Sequence, residues 1–230
     1  MKKIGFIGAY DKTDMILNVA KIMTTMGHKV LLIDSTLDQK AKYIVPVINP
    51  TTSYVTNFED IDVAVGFNNP EQIKQYLGVS GEEMNYDVWL IDVDSAERIE
   101  TFDILKADKN FFVTAFDLYS LKKGLEILSE IKEPIALTKV LFAKEVLKED
   151  DDYLNFLSLG YKVIWDEERI YFPIENGDWS VLIENQRVSK IKFKRLSAQY
   201  KDSLAFIVLE ALNTSDSNVR KAMKIIERGV

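Results

Sequence analysis

The sequence predicts an α/β fold, a doubly wound and mainly parallel sheet with helices on both faces. Short apolar runs rich in β-branched and aromatic residues alternate with longer stretches whose apolar residues recur every three to four positions. This alternation is typical of strand-helix-strand crossovers, which are right-handed almost without exception. The 230 residues, 47% of them hydrophobic, can fill the core of a single domain covering residues 1–230.

The first half of the chain contains the clearest elements. A buried strand is predicted over residues 4–8, an amphipathic helix over 14–26 that Gly27 ends, and a second buried strand over 29–34. Further strands are predicted over 43–48, 62–67, 88–94, 110–116 and 135–142, with helices over 70–77 and 118–131. Proline at position 46 weakens the prediction of a strand over 43–48. Asp117 is the predicted N-cap of the helix over 118–131.

The second half is less regular. An acidic run over 148–152 precedes two short predicted strands, 161–165 and 169–173. Helices are predicted at roughly 178–185, 197–212 and 216–228.

Composition excludes several kinds of site. With 29 basic and 36 acidic residues the net charge is -7, which argues against a general attraction to nucleic acid. The absence of cysteine and the single histidine, His28, exclude disulfides, Cys/His zinc sites and cysteine nucleophiles; His28 itself is predicted to be a turn residue. No apolar stretch approaches the roughly 20 residues that cross a bilayer, and the first apolar run is too short for a signal peptide. We therefore expect a cytoplasmic protein.

In a doubly wound sheet, ligands bind beyond the carboxyl ends of the strands. Four segments lie at such ends: Gly8–Thr13, Asp34–Asp38, Asp92–Ser95 and Ala115–Asp117. The first contains the loop GAYDKT, the second follows KVLLID, the third lies in YDVWLIDVDS, and the fourth lies in NFFVTAFDLYSLKKGLEIL.

Taken in this order, the four segments resemble the ParA/MinD family of P-loop ATPases, which position plasmids, chromosomes and division sites. The resemblance covers residues 3–142 at least and implies the P-loop NTPase fold, an ATP and Mg²⁺ site, a dimer and protein partners in a positioning or assembly machine. It implies that Gly8, Lys12 and Thr13 contact the nucleotide, that Thr13 and Asp92 are the candidate Mg²⁺ residues, and that Asp34 is the candidate catalytic residue that handles the attacking water.

The loop departs from the family pattern. Members have KGGVGKT, whereas GAYDKT is shorter, lacks the first lysine and has one glycine. A phosphate loop needs glycine where backbone N–H groups turn inward, and Asp11 would repel a phosphate by roughly 4 kcal/mol at about 4 Å and an effective dielectric near 20. Two hypotheses follow: an inactive scaffold or localisation factor with a degenerate site, or an active or weak ATPase with an unusual loop.

Simpler interpretations stay open for the same residues. Asp11 or Thr13 could cap the first helix while Lys12 is solvated, and Asp34 and Asp92 could cap the turns that follow their strands. Tyr10 could supply contact area in a nucleotide-free dimer or fill the vacant pocket of its own chain.

Two basic segments have two interpretations each. Lys190, Lys192, Lys194 and Arg195 in RVSKIKFKR are candidate DNA-binding residues, or they are solvated residues of a half-buried edge strand. The basic amphipathic segment 216–228 resembles in kind the membrane helix that ends MinD, but its few small apolar residues favour docking on the domain.

Overall fold

The protein is described by a computed structural model over residues 1–47, 51–79, 83–143 and 148–229. The strands are β1 (Lys2–Ile7), β2 (Val30–Asp34), β3 (Tyr54–Phe58), β4 (Ile61–Val65), β5 (Val88–Val93), β6 (Lys109–Ala115), β7 (Ile135–Ala143) and β8 (Val163–Pro173). They form one sheet in the order β3-β4-β2-β5-β1-β6-β7-β8. Neighbours are parallel except β3 and β4, which are antiparallel. The predicted doubly wound, mainly parallel sheet is confirmed.

Helices cover both faces of this sheet. They are α1 (Thr13–Thr25), α2 (Ala41–Ile44), α3 (Pro70–Leu77), α4 (Ala96–Thr101), α5 (Leu118–Ser129), α6 (Lys148–Leu157), α7 (Asn176–Val188), α8 (Ala198–Leu212) and α9 (Asp216–Arg228), with 3₁₀ turns at Ile104–Lys106 and Phe193–Arg195. One core layer contains α1, α2, α7, α8 and α9, and the other contains α3, α4, α5 and α6. Among the described residues, no helix is long and apolar enough to cross a bilayer.

Local chemistry explains the accurate predictions. Helix α3 matches its predicted bounds because Pro70 starts it, Asn69 accepts a hydrogen bond from the N–H of Gln72, and Gly78 ends it with φ 73°. Asp117 caps α5 as predicted, by accepting from the N–H of Ser120. The segment 216–228 docks through Val219, Ala222 and Met223, which are buried against the core.

The strand predicted over 43–48 is wrong in its described part. Residues 41–44 form α2, because the N–H of Ala41 donates to the Asp34 carboxylate at 2.9 Å and Pro46 then prevents continuation. Position 48 lies outside the described residues. The edge strand is instead β3, which pairs with β4 through a turn whose residues Glu59 and Asp60 have φ 53° and 67°.

Two predictions in the second half also need correction, and a third segment, the acidic run, had no predicted structure. The strands expected at 161–165 and 169–173 are one strand, β8, whose pairing with β7 shifts register between Leu137 and Lys139. The acidic run opens helix α6, where carboxylates favour the positive end of the helix dipole. Residues 187–195 are no edge strand: α7 extends to Val188, Ser189 ends it with φ 48°, and Phe193 is buried in a 3₁₀ turn.

Candidate functional site

The loop between β1 and α1 lies at the centre of the sheet's carboxyl edge. Strand β1 is flanked by β5 and β6, while the chain returns to the sheet two strands away at β2. This is the point at which the strand order reverses, where doubly wound sheets bind ligands.

Gly8 lets the loop lie against the neighbouring strands. Its N–H donates to the carbonyl of Val93 on β5 at 3.1 Å, and its φ is 143°. A Cβ at this position would lie 2.1 Å from the carbonyl oxygen of Val113 on β6. The single glycine of the loop is therefore required by the packing of the loop on its own sheet.

The side chain of Lys12 is buried and bound within the protein. Its ammonium donates to the Gly8 carbonyl at 2.7 Å and lies 2.6 Å from the Asp92 carboxylate at the end of β5. Lys12 is 2% exposed. The expectation of a solvated Lys12 is therefore wrong, and this lysine is held by the chain's own backbone and carboxylate.

Burial dominates the ionisation of Asp92. It raises the pKa of this carboxyl above its usual range, with Lys12 acting in the opposite direction and Asp34 adding to the rise. Burial likewise raises the pKa of Asp94.

Asp11 binds the start of α1. Its Oδ1 accepts from the N–H of Thr13 at 3.2 Å, and its Oδ2 pairs with Lys40 at 3.1 Å. The first N–H groups of a helix are where an anion such as phosphate binds. The protein's own carboxylate is at this position.

The Asp34 side chain is engaged in the turn after β2. It accepts from the N–H and hydroxyl of Thr36 at 3.1 and 2.6 Å and from the N–H of Ala41 at 2.9 Å. Asp94 accepts from the N–H of Leu37 in the same segment. The two aspartates fix residues 36–40 beside the loop, as the capping interpretation of Asp34 predicts.

The predicted nucleotide residues Gly8, Lys12, Thr13 and Asp92 line one small cavity, together with residues that include Thr36, Asp38 and Lys40. The cavity measures about 30 Å³, which holds about two water molecules. Among the described residues, no group of three or more acidic or histidine side chains is arranged to hold a metal ion. In this conformation the residues do not fit a magnesium triphosphate.

The comparisons with known proteins show similarity of the fold only. No protein-family model and no curated protein matches the chain. A ParA family ATPase from Chlorobium tepidum TLS is 15% identical, with a TM-score of 0.59 over 90% of this chain and 98% of that one. A chain of the MinC:MinD cell division complex of Aquifex aeolicus is 12% identical, with a TM-score of 0.60 over 94% and 97%. The chain has the ParA/MinD fold. A plasmid partition protein of Borrelia burgdorferi bound to AMPPNP is similar over 96% of this chain, with 12% identity and a TM-score of 0.50.

In this ParA/MinD fold, Tyr10 of the loop packs inside its own chain. Its ring lies 4.6 Å from that of Phe142 at the end of β7, and the contact continues to Phe172 at 4.8 Å and Tyr200 at 4.9 Å. Burial raises the pKa of Tyr10 to about 12. These contacts agree with the interpretation in which Tyr10 packs within its own chain rather than in a dimer interface.

Next to Tyr10 lies a carboxyl group for which no functional role was predicted. Asp14, in the first turn of α1, accepts from the side-chain amide of Gln186 on α7 at 2.6 Å. Burial raises its pKa to about 7, against the effect of the Gln186 hydrogen bond, and Asp11 adds to the rise. The partner is 172 positions away, so no local pattern could predict the pair.

The candidate DNA-binding residues lie away from the loop, after α7. Lys192 pairs with Glu184 at 2.5 Å, and Arg195 pairs with the same carboxylate. The Nζ of Lys201 also contacts the carbonyl of Lys194. Two of the four basic residues thus share one carboxylate, which offsets one unit of their positive charge.

Proposed function

We propose that this chain is a ParA/MinD-like protein with a degenerate nucleotide site, acting as a scaffold or localisation factor in a partitioning or positioning system, and that it turns over no ATP. One observation carries the proposal: the ammonium of Lys12 is held by Gly8 and Asp92 inside a cavity of about 30 Å³. A lysine in this state does not reach a phosphate.

Binding ATP here would require several costly changes. The Asp11 carboxylate would have to leave the start of α1, and Lys12 would have to leave Asp92. Breaking a buried ion pair by removing one partner typically costs 3–5 kcal/mol, an approximate range. A triphosphate could recover part of this through Lys12, but the carboxylate of Asp11 would remain nearby.

The solved structures with this fold support the biological class of the proposal. They include a ParA family ATPase, a plasmid partition protein and MinD in complex with MinC. By analogy, we infer a cytoplasmic protein of one domain that binds protein partners and forms a homodimer without nucleotide. Its contribution would be a stable surface rather than a nucleotide-driven cycle.

The second candidate is an active or weakly ATP-binding member of the same class, which could contact DNA. A specific observation favours it: Gly8, Lys12, Thr13 and Asp92 still converge on one cavity. Burial raises the pKa of Asp92, so uptake of a proton by this carboxyl would weaken its hold on Lys12.

Phosphate release with ATP and Mg²⁺ separates the two candidates. The wild-type chain, Lys12→Ala and a control, Lys21→Ala on the same helix but away from the cavity, are compared. The scaffold proposal expects all three to release phosphate at the uncatalysed rate. Turnover that Lys12→Ala abolishes and Lys21→Ala preserves would establish the ATPase instead.

A further inference from the structure

A second cavity lies beside the loop, at the carboxyl ends of β1, β7 and β8, and measures about 150 Å³. Aromatic side chains form much of its lining: Tyr10, Phe142, Trp179 and Tyr200. Trp179, at the N-terminal end of α7, is 59% exposed, whereas Tyr200 is buried. The cavity therefore has an aromatic interior and an accessible aromatic rim.

The charges in its lining are all of one sign. Asp11, Asp14, Glu175 and Asp178 contribute carboxyl groups, and no lysine, arginine or histidine is among the described lining residues. The carboxylate of Asp178 is satisfied by the N–H and hydroxyl of Ser197, both at 2.7 Å. Oδ2 of Asp14 accepts from Gln186, and its Oδ1 has no hydrogen-bond partner among the described residues.

We propose that this cavity binds a compact organic cation, with an apolar ring against Tyr10, Phe142 and Trp179 and an ammonium or guanidinium group at Asp14. Aromatic faces attract cations electrostatically, most strongly where water is excluded. Carboxyl groups and the lack of basic side chains disfavour an anionic ligand at the same place. The proposal goes beyond the scaffold function and does not depend on it.

The size of the cavity limits the ligand. An apolar protein cavity of about 150 Å³ accommodates benzene, so one six-membered ring fills the site. Benzylamine is a suitable probe because it combines such a ring with one ammonium group. Benzyl alcohol is its neutral counterpart of nearly the same shape.

Isothermal titration of the full chain at pH 8 and low salt tests the assignment. We expect benzylamine to bind at least about tenfold more tightly than benzyl alcohol. Asp14→Asn keeps the shape of the side chain and should remove this preference. The matched control is Glu100→Gln, an exposed glutamate on α4 in the other helical layer, which should keep it.

Asp11, Glu175, Asp178, Tyr10 and Tyr200 also face this region, and the comparison of Asp14→Asn with the wild-type chain at the same pH separates their effect from that of Asp14. Equal binding of benzylamine and benzyl alcohol, tighter binding of adenosine or AMP, or no binding of any probe at millimolar concentration would overturn the assignment.

Discussion

The ammonium of Lys12 lies 2.6 Å from the Asp92 carboxylate, and both side chains are buried where the sheet's strand order reverses. This pair joins the loop after β1 to the end of β5. It holds Lys12 in a structural contact. The pair is therefore the first target for mutation.

We predict that Asp92→Asn destabilises the fold more than Lys12→Met. The first change leaves a buried ammonium whose remaining partners, the Gly8 carbonyl and a neutral amide, compensate no charge, which should lower the free energy of unfolding by about 2 kcal/mol. The second leaves a carboxyl that can become neutral by taking up a proton, because burial already raises its pKa, so we expect a cost of about 1 kcal/mol.

Urea unfolding at pH 7 measures both costs. Asp103→Asn is the control, because Asp103 makes an exposed pair with Lys106 and should change stability by less than about 0.5 kcal/mol. A larger loss for Lys12→Met than for Asp92→Asn would contradict the prediction.

We predict that Asp14→Asn stabilises the protein in a pH-dependent way. The pKa of Asp14 rises from 3.8 to about 7 on folding, so the folded state holds the extra proton between these values and wild-type stability falls as pH rises through them. Asp14→Asn has no carboxyl at this position and does not lose stability in this way. The free energy of unfolding of the variant should therefore equal that of the wild-type chain near pH 4 and exceed it by about 2 kcal/mol at pH 8.

Thermal or urea unfolding across this pH range gives the difference between the two chains. Other groups with raised pKa values, such as Asp92, contribute equally to both chains and cancel. A stability difference between Asp14→Asn and the wild-type chain that is constant with pH, or largest at pH 4, would show that ionisation of Asp14 does not cause the pH dependence.

We predict a homodimer without nucleotide that does not depend on Tyr10. The Tyr10 ring contacts Phe142 of its own chain at 4.6 Å, so Tyr10→Ala should lower the free energy of unfolding by roughly 3 kcal/mol and leave the dimer intact. Sedimentation equilibrium at micromolar concentrations decides this. A monomeric wild type would remove the dimer from the proposal, and dissociation by Tyr10→Ala would place Tyr10 in the interface.

We predict that the segment after α7 contributes little to DNA binding. The pairs of Lys192 and Arg195 with Glu184 reduce its positive charge, and the whole chain carries -7. Changing Lys190, Lys192 and Lys194 to glutamate should leave binding to random duplex unchanged at about 100 mM salt. Salt-sensitive binding that this triple variant loses would instead support a DNA contact.

Local and periodic signals in the sequence predicted most of the sheet. Buried parallel strands such as β2 and β5 are nearly continuous apolar runs, and Asn69-Pro70 with Gly78 defines α3 almost by itself. The segment 43–48 failed because apolar content alone does not distinguish a strand from a short helix fixed by a distant group, here the Asp34 carboxylate on Ala41.

The site was predictable in its location but not in its contacts. The order of the four segments at the carboxyl ends of the predicted strands indicated that Lys12, Thr13 and Asp92 would meet at one edge of the sheet. The three residues do line one cavity. The pairing of Lys12 with Gly8 and of Asp14 with Gln186 depends on how the loop and α7 pack. Contacts between residues 172 positions apart leave no periodic trace in one sequence.

Equilibrium binding of ATP and ADP with Mg²⁺, measured by isothermal titration, tests the central claim most directly. The proposed scaffold function predicts no saturable binding of either nucleotide at millimolar concentration by the wild-type chain. Asp11→Gly serves as the comparison, because it removes the carboxylate from the start of α1 and should only increase any residual affinity. Micromolar binding of ATP by the wild-type chain, lost in Lys12→Ala, would contradict the account.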